Sequence, residues 1–461
     1  MSHPQPGGAL PPAPAPALPA WREGLDRLRA AATTEPGRLR IIGAVLAALL
    51  VLFGAVTAWQ ISDRAAAADA VVERSQPLSA DAADIYRSLA DADTTAASGF
   101  LAGGQEPRQV RRRYEKDIAL ASELLVKAAA NSAGSATARR QIARLNELLP
   151  VYTGLVESAR ANNRQGLPLG GAYLRYAGDR MRDELLPAAR ALYETESDRL
   201  GSDYDDAESW PWAALLTGVL ALGALGWAQR RNYLRTHRVF NAGMLAATVA
   251  ATFGLLWLTV GHAVARAGLE DSYTHGAQSL QVLNEAQISA LQARGDENLT
   301  LVARGAVLTR GGDDAYEASY RDGMRKLVGD GGTGAAGKGS LLERARRLAD
   351  DSKGREPVEK AVANVRQWQE RHGGARATDD GGDYEKALPK VIGEKDSTGE
   401  SFDRAGTELK QAMDHEQSEF RRAADDGRGA FGGLAAGAAV LAVLGAGAAV
   451  LGIGRRLSEY R

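Results

Sequence analysis

Four long apolar segments without a charged residue constrain this chain more than any other feature. They cover residues 41–61, 211–228, 239–261 and 430–453. A helix needs about 20 apolar residues to cross the hydrocarbon core of a bilayer, so each segment is long enough to span a membrane. The whole chain nevertheless contains 25% charged residues, because two large polar blocks separate the segments. The sequence therefore predicts a membrane protein with four transmembrane helices.

Short basic flanks predict the orientation of these spans. Arginines lie in residues 1–40, 229–238 and 454–461, at Arg38, Arg40, Arg230, Arg231, Arg235, Arg238, Arg455 and Arg456. Because positively charged short flanks stay on the cytoplasmic side, we expect both termini inside and residues 62–210 and 262–429 outside the plasma membrane. The arginines of the loop and the C-terminal tail are then the candidate cytoplasmic output surface.

Both polar blocks have the apolar spacing of amphipathic helices. In residues 62–210, four patterns with steps of three and four are separated by glycine-rich and proline-rich breakers, and no period-two strand pattern occurs. We therefore expect an all-α protein with an up-down four-helix bundle in each block. The pattern in residues 262–429 is less regular. Residues 341–353 could belong to its second or its third helix.

Similar landmarks follow one another in the same order in the two halves of the chain. The matched landmarks are Phe53-Gly54 with Phe253-Gly254, Tyr114 with Tyr320, Gly170-Gly171 with Gly381-Gly382, and Asp205-Asp206 with Asp425-Asp426. Such a repeated order indicates a duplicated unit of span, bundle and span.

The small residues of the last apolar segment predict close helix packing. Gly433, Gly437, Gly445 and Gly452 allow neighbouring backbones to approach, and self-association of the protein stays open. No ionisable residue interrupts the four segments, which disfavours a transporter. Before the first segment, residues 1–20 are expected to be disordered. Trp21, Leu25 and Leu28 then predict a short basic amphipathic helix on anionic lipid, or a docking site.

The sequence contains only weak signals for a metal site, a cofactor site or a catalytic site. The chain has no cysteine and only six histidines, among which no i, i+4 pair occurs. We therefore expect no metal ion, cofactor or catalytic residue, and no enzymatic activity. A net charge of −1 gives no reason to expect a nucleic-acid partner.

Charged residues gather where the membrane-distal loops of the two bundles are expected. Up-down connectivity brings the loops between helices one and two and between helices three and four to the same end. The first bundle would present Arg108, Arg111, Arg112, Arg113, Arg160 and Arg164. The second would present Asp313, Asp314, Asp379, Asp380 and Asp383. These clusters are either solvated faces or docking surfaces for a partner, a ligand or each other.

The layout and the C-terminal segment Gly452-Ile-Gly-Arg-Arg-Leu-Ser-Glu-Tyr-Arg461 resemble the GlnX family of actinobacterial membrane proteins. This resemblance implies a relay of glutamate, glutamine or aspartate availability, from an extracytoplasmic amino-acid-binding lipoprotein to a cytoplasmic Ser/Thr kinase. The bundles also resemble the ligand-binding domains of chemoreceptors.

The short cytoplasmic segments independently favour handover to a separate partner. In the expected mechanism, the fourth helix of each bundle moves and carries the signal into the following span. A stand-alone small-molecule sensor and a non-switching membrane scaffold are the alternatives.

Overall fold

The computed structural model describes residues 35–132, 134–236, 241–330 and 334–458. These residues form helices, turns and one isolated bridge between Leu308 and Asp314, so the protein is all-α, as the sequence predicts. The amphipathic segment from Trp21 to Leu28, the residues before it, and Arg238 lie outside the described residues.

We number the α-helices in chain order. They are α1 (Glu35–Ala70), α2 (Gln76–Leu101), α3 (Arg108–Asn131), α4 (Ala136–Arg164), α5 (Leu169–Arg180), α6 (Leu186–Glu208), α7 (Trp212–Thr236), α8 (Ala242–Asp271), α9 (Gln278–Ala303), α10 (Ala315–Val328), α11 (Leu341–Leu348), α12 (Ser352–Asp380), α13 (Tyr384–Ile392), α14 (Thr398–Ala430) and α15 (Leu434–Ser458). Short π-helical turns at Val71–Ser75, Met181–Leu185 and Ser272–Ala277 connect α1 to α2, α5 to α6 and α8 to α9.

The chain divides into two compact units. The apolar unit contains Met1–Ile61, Pro211–Val260 and Gly433–Arg461, and the polar unit contains Ser62–Trp210 and Gly261–Gly432. Within the described residues, four helices are long and apolar enough to cross a membrane, as expected for a multi-pass membrane protein. Both polar blocks belong to one compact unit, whereas the sequence predicts two separate bundles.

Small residues bring the helices of the apolar unit together. A Cβ atom added at Gly54 would overlap with the Cβ of Ala442, and one added at Gly452 would lie 2.9 Å from the Cα of Gly243. Of the predicted packing residues, Gly452 therefore lies at a close helix contact. A Cβ atom added at Gly437 would lie at an ordinary van der Waals distance from the indole of Trp257, and one added at Gly445 would lie at such a distance from the methyl group of Ala250.

Gly433 has a different role from the predicted one. It lies in the turn before α15 with φ +78°, a left-handed conformation that glycine adopts without steric strain. It therefore ends the turn instead of packing against a neighbouring helix.

The first bundle consists of α2, α3, α4 and the pair α5–α6. Its apolar steps of three and four produce a shared core, with Leu89, Leu125, Leu145 and Leu185 all buried. The hydroxyl of Ser135 caps α4 by accepting a hydrogen bond from the Ala138 N–H at 3.1 Å.

The second bundle is more broken than the first. Its second helix is split into α10 and α11, so Leu341–Leu348 is a helix of its own, capped by Ser340, and α12 begins only at Ser352. Its fourth long helix, α14, begins at Thr398 after the short α13. The Gly381-Gly382 landmark therefore precedes α13 and not the long fourth helix.

The helices that enter and leave the bundles differ in continuity. Helical structure runs without interruption from Gly37 to Leu101 and from Ala242 to Ala303. Residues 209–211 separate α6 from α7, where Pro211 has no N–H to donate, and residues 431–433 form a turn between α14 and α15. Each fourth helix therefore continues into the next span across a break of three residues, whereas the first helix of each bundle has no such break.

Candidate functional site

A polar seam joins the two bundles through α2 and α9. The hydroxyl of Thr94 donates to the carbonyl oxygen of Leu291 at 2.8 Å, and the amide of Asn298 donates to the Ser98 hydroxyl, also at 2.8 Å. Because α9 is covered on this side as well as by its own bundle, the side chain of Asn298 is completely buried. The seam fixes the two bundles against each other and positions the space beside it.

A cavity of about 720 Å³ lies between the bundles next to this seam. Cavities of this volume accommodate small-molecule ligands. Helices α2, α3 and α6 line it from the first bundle, and α9, α14 and the π-helical turn before α9 line it from the second. Its polar lining includes Gln76, Ser79, Asp84, Arg87, Asp91, Arg113, Asp117, Ser197, Gln278, Gln281, Asn284, Gln287, Asp403, Thr407, Lys410, Asp414 and Gln417. We call this space the inter-bundle cavity.

Arg113 connects the bundles at the wall of this cavity. Its Nη2 lies 2.9 Å from Asp91 Oδ1 and its Nη1 lies 3.3 Å from Asp403 Oδ1. Arg113 is therefore not a member of the arginine cluster predicted at the loops, because consecutive helical residues point about 100° apart. Beside it, burial and the neighbouring Asp91 raise the pKa of Asp117 to about 7. The Oδ2 atom of Asp117 has no hydrogen-bond partner among the described residues.

Further polar groups of the cavity are available to a ligand. Arg87 pairs with Asp84 and its Nη1 lies 3.1 Å from the Met413 sulfur, while burial lowers the pKa of the Arg87 guanidinium. Asn284 Oδ1 and Gln287 Oε1 are buried without a hydrogen-bond partner in the described part of the chain. A polar ligand that forms hydrogen bonds with these groups removes the free-energy cost of leaving them buried and unpaired, which favours its binding.

The lining charges favour a ligand that carries a positive group. Carboxylates outnumber cations, with Asp84, Asp91, Asp117, Asp403 and Asp414 facing Arg87, Arg113 and Lys410. A small zwitterion could place an ammonium group at Asp91 and Asp117 and its carboxylate at a guanidinium. A ligand with net negative charge would meet repulsion.

Five of the six arginines predicted at the loop end surround one hollow of about 350 Å³: Arg108, Arg111, Arg112, Arg160 and Arg164. Acidic neighbours neutralise two of these arginines, Arg111 and Arg160, which lie on the inner side of the hollow. Arg160, 6% exposed, lies 3.0 Å from Glu106, and Arg111 lies 3.3 Å from Glu157.

The outer three arginines of this hollow are available for contacts. Arg108, Arg112 and Arg164 are exposed, and no carboxylate of residues 35–132, 134–236, 241–330 or 334–458 forms an ion pair with them. We call these three residues the arginine patch.

The acidic residues predicted at the other loop end mainly serve their own helices. Asp314 caps α10 and Asp383 caps α13 by accepting backbone N–H bonds. Arg376 binds Asp379 at 2.9 Å and Asp380 at 2.8 Å. Asp383 pairs with Lys386, and in the described ranges only Asp313 and Asp314 of the five have no ion-pair partner. These residues therefore do not form an open acidic docking surface.

The structure describes most of the predicted output arginines. Arg230, Arg231 and Arg235 lie in the last turns of α7, and Arg455 and Arg456 lie in the last turns of α15. The guanidinium of Arg231 lies 5.5 Å from the ring centre of Trp227.

A cluster of possible metal ligands was not predicted from the sequence. Asp351 Oδ1 lies 3.1 Å from His415 Nε2, and the same nitrogen lies 3.3 Å from Glu419 Oε1. His415 and Glu419 are four residues apart on α14 and share one helix face. Histidine pairs at this spacing are absent from the sequence, and a mixed His–Glu pair is a weaker signal because such pairs are common on exposed helix faces.

A buried carboxyl group lies next to this cluster. Glu416 is 1% exposed, and its Oε2 has no hydrogen-bond partner within the described segments. Burial raises the pKa of Glu416 to about 8, and the carboxylates of Glu419, Asp350 and Asp351 add to the increase.

A second buried charge network holds the core of the second bundle. His372 lies 2.8 Å from Glu297 and 3.0 Å from Glu317, and it stacks on Tyr320 with ring centres 3.8 Å apart. Burial opposes protonation of His372, but the hydrogen bonds to Glu297 and Glu317 outweigh it and raise the pKa to about 9. This network joins α9, α10 and α12.

Comparison with known proteins identifies a sensor domain in the first polar block. Residues 67–205 match the family model of an actinobacterial sensor domain. The match supports a sensor protein of actinobacterial type. Together with the four apolar helices, it gives a membrane protein with a role in sensing or signalling. No curated protein and no solved structure gave a significant match.

Proposed function

We propose that this protein is a transmembrane sensor that reports the availability of amino acids and binds its ligand in the inter-bundle cavity. The observation that carries the proposal is the cavity itself, which both bundles line and which holds charges of both signs. A ligand that contacts α2, α9 and α14 together favours one arrangement of the bundles over another, and this differential binding is what shifts a conformational equilibrium.

The excess of carboxylates in the cavity favours an amino acid without a second negative charge. We propose that Asp91 and Asp117 receive the ammonium group and that Arg87 receives the carboxylate. Glutamine fits this pattern better than glutamate or aspartate, because the dicarboxylic amino acids would bring extra negative charge to a lining that already carries it.

The proposed orientation puts both termini and residues 229–238 in the cytoplasm and the polar unit outside the plasma membrane. The basic flanks support this orientation. The absence of cysteine allows a direct check with single cysteines at Ser202 and Asn232 and a membrane-impermeant maleimide on intact cells. Labelling of Ser202→Cys alone is expected, and labelling of Asn232→Cys alone would reverse the orientation.

We propose that the first helix of each bundle transmits the signal. The continuous helices α1–α2 and α8–α9 carry π-helical turns at similar points, Val71–Ser75 and Ser272–Ala277, and π-turns inside helices often mark functional positions. Gln76, Tyr273 and Ala277, at or next to these turns, line the cavity. The repeated placement also supports an internal duplication. A cytoplasmic Ser/Thr kinase at the arginines of α7 and α15 is the proposed receiver.

Calorimetry on the full chain in nanodiscs tests the ligand proposal. Glutamine, glutamate and aspartate are titrated into the wild type, into Asp117→Asn and Arg87→Gln, and into Arg190→Gln as the control. Arg190 pairs with Glu194 on α6 and does not line the cavity. Binding of glutamine that is lost in both cavity variants and kept in the control is expected. Equal binding by all four proteins, or none by the wild type, would reject the cavity as the ligand site.

A relay through an extracytoplasmic amino-acid-binding lipoprotein is the second candidate, and the arginine patch favours it. Three exposed arginines without acidic partners suit an acidic protein surface. Crosslinking in membranes with and without glutamate, glutamine and aspartate would compare the wild type with the Glu variants of Arg108, Arg112 and Arg164.

The control for the crosslinking carries Glu at Arg139, Arg140 and Arg190, outside the patch. A ligand-dependent partner lost only from the patch variant supports the relay. Recovery of no partner, together with no binding in the calorimetry, supports a non-switching scaffold.

A further inference from the structure

Three donor atoms from two parts of the second bundle converge at one point. Asp351 at the start of α12 and His415 and Glu419 on α14 each offer one atom, and these atoms lie within 4.8 Å of one another. Metal–ligand bonds of about 2.0–2.2 Å place neighbouring ligand atoms roughly 3.0–3.5 Å apart. The two distances at His415 Nε2, 3.1 Å and 3.3 Å, agree with that spacing.

Hydrogen bonding alone leaves this cluster incompletely satisfied. A single imidazole nitrogen faces both the Asp351 and the Glu419 carboxylate, so one N–H would have to serve two acceptors. Asp351 Oδ1 also accepts the Gly354 N–H at 2.8 Å, which fixes its direction. On the solvent side, the Arg422 guanidinium lies 3.7 Å from Glu419 Oε1.

The independent observation is the carboxyl group of Glu416. Its side chain is almost completely buried, and its Oε2 is without a partner in the ranges that the structure describes. Its Oε1 would be 2.7 Å from a Cβ added at Gly354, and His415 Cδ2 would be 3.5 Å from the same point. The Glu416 carboxyl group therefore faces the first turn of α12, where Asp351 lies.

We propose that Asp351, His415 and Glu419 bind a divalent transition-metal ion of the Zn²⁺ or Mn²⁺ type. One imidazole with two carboxylates suits these ions, whereas Mg²⁺ keeps several waters and is not usually held by such a set. The buried carboxyl group of Glu416 lies beside the three donors on α14, outside the set of atoms that lie within 4.8 Å of one another.

Such an ion would connect the start of α12 to α14. Helix α14 lines the inter-bundle cavity with other residues, among them Asp403, Lys410 and Asp414. Metal binding and ligand binding would therefore use different side chains of the same helix. The metal site does not depend on the proposed ligand, and it can be tested without one.

The test measures metal retention and thermal stability of the full chain in detergent, purified without an oligohistidine tag. The protein is loaded with Zn²⁺, Mn²⁺ or Mg²⁺, dialysed, and its metal content is determined by mass spectrometry. The variants are His415→Gln, Glu419→Gln and Glu416→Gln. The matched control is His275→Gln, since His275 lies 3.0 Å from Asp271 in another i, i+4 pair without further carboxylate ligands.

We expect the wild type and the control to retain about one equivalent of Zn²⁺ or Mn²⁺. We also expect their melting temperatures to rise with metal concentration, because only the folded state has the site. Loss of one ligand should weaken binding at least about 10-fold. Glu416→Gln keeps the three donor side chains and should retain the metal, which separates the loss of a ligand from a general disturbance of α14. No retained metal in the wild type, or equal retention in all variants, would overturn the proposal.

Discussion

The hydroxyl group of Thr94 on α2 donates a hydrogen bond to the main-chain carbonyl oxygen of Leu291 on α9, at 2.8 Å. Both bundles thus meet through a buried polar contact between residues 197 positions apart in the chain. The carbonyl oxygen of Ala90 in the same helix lies 2.9 Å from this hydroxyl, so the two carbonyl oxygens share its single proton. The contact between bundles therefore depends on a bond that can be removed without changing the shape of the side chain.

Replacing Thr94 by Val should destabilise the polar unit by about 1 kcal/mol more than the control substitution, because only the Thr94 hydroxyl bonds to the other bundle and a buried hydrogen bond contributes about that much. The control is Thr300→Val, because Thr300 is equally buried but its hydroxyl bonds only to Asp296 in the same helix. Chemical denaturation of the full chain in detergent measures the free energy of unfolding of both variants. If the two variants lost the same free energy, the bond between the bundles would contribute nothing to stability.

The stability of the protein should fall between pH 6.5 and 9 because of His372. Its folded pKa of about 9 exceeds the unfolded value of about 6.5. Its stabilising contribution is therefore complete below pH 6.5 and is lost as the pH rises through 9. His372→Gln removes this contribution.

The quantity to measure for His372 is the difference in unfolding free energy between wild type and variant at each pH. Taking the difference cancels the effect of Glu416, whose raised pKa also reduces stability as the pH rises. We expect the difference to shrink steadily from pH 6.5 to 9. A difference that does not change with pH would mean that His372 is not charged between Glu297 and Glu317.

Gly54 should tolerate no side chain. An added Cβ would overlap with Ala442, and overpacking of a closely packed interface costs about 1–3 kcal/mol. We expect Gly54→Ala to lower the melting temperature of the protein in detergent. The matched substitution Gly223→Ala, on α7 where no atom lies within 4 Å of an added Cβ, should leave it unchanged. If Gly54→Ala melted at the same temperature as the wild type, α1 and α15 could move apart at this point without loss of stability.

Flexibility in the first helix should block transmission, whereas flexibility before α7 should not. Residues 72–74 in the first π-helical turn and residues 207–209 at the end of α6 are each replaced by three glycines. The readout is the effect of glutamine on the labelling rate of Asn232→Cys in nanodiscs, where both sides of the membrane are accessible, in the background of a cysteine-free chain. We expect the first replacement to abolish the effect and the second to keep most of it. The reverse result would restore the fourth helices as the path of the signal.

The sequence predicts the four spans and the first bundle well because each apolar pattern there reflects contact with a single apolar environment. The apolar segments face lipid or one another, and Leu89, Leu125 and Leu145 face one core, so periodicity and length are direct signals. The second bundle is harder to predict because α9 is covered on two sides. Its buried Arg294, Glu297 and Asn298 break the apolar pattern, since Arg294 pairs with Glu297 and Asn298 bonds to Thr94 and Ser98 of α2.

The candidate sites were predictable only in part. Loop connectivity brings Arg108, Arg112 and Arg164 together, as up-down topology requires. It gave no indication of the inter-bundle cavity, because a cavity depends on how two bundles pack and not on the pattern within either. Asp314 and Asp383 resembled docking residues in the sequence, yet each caps a helix. Capping is readable only once the first residue of the helix is known.

The distance along the chain between Thr94 and Leu291 has a consequence for biosynthesis. At translation rates of about 5–20 residues per second, α9 follows α2 out of the ribosome by roughly 10–40 seconds. During that interval the face of α2 that will meet α9 has no covering helix. Because Thr94 and Ser98 make this face partly polar, the waiting first bundle exposes a surface that water can solvate, which lowers its tendency to aggregate before its other half has been made.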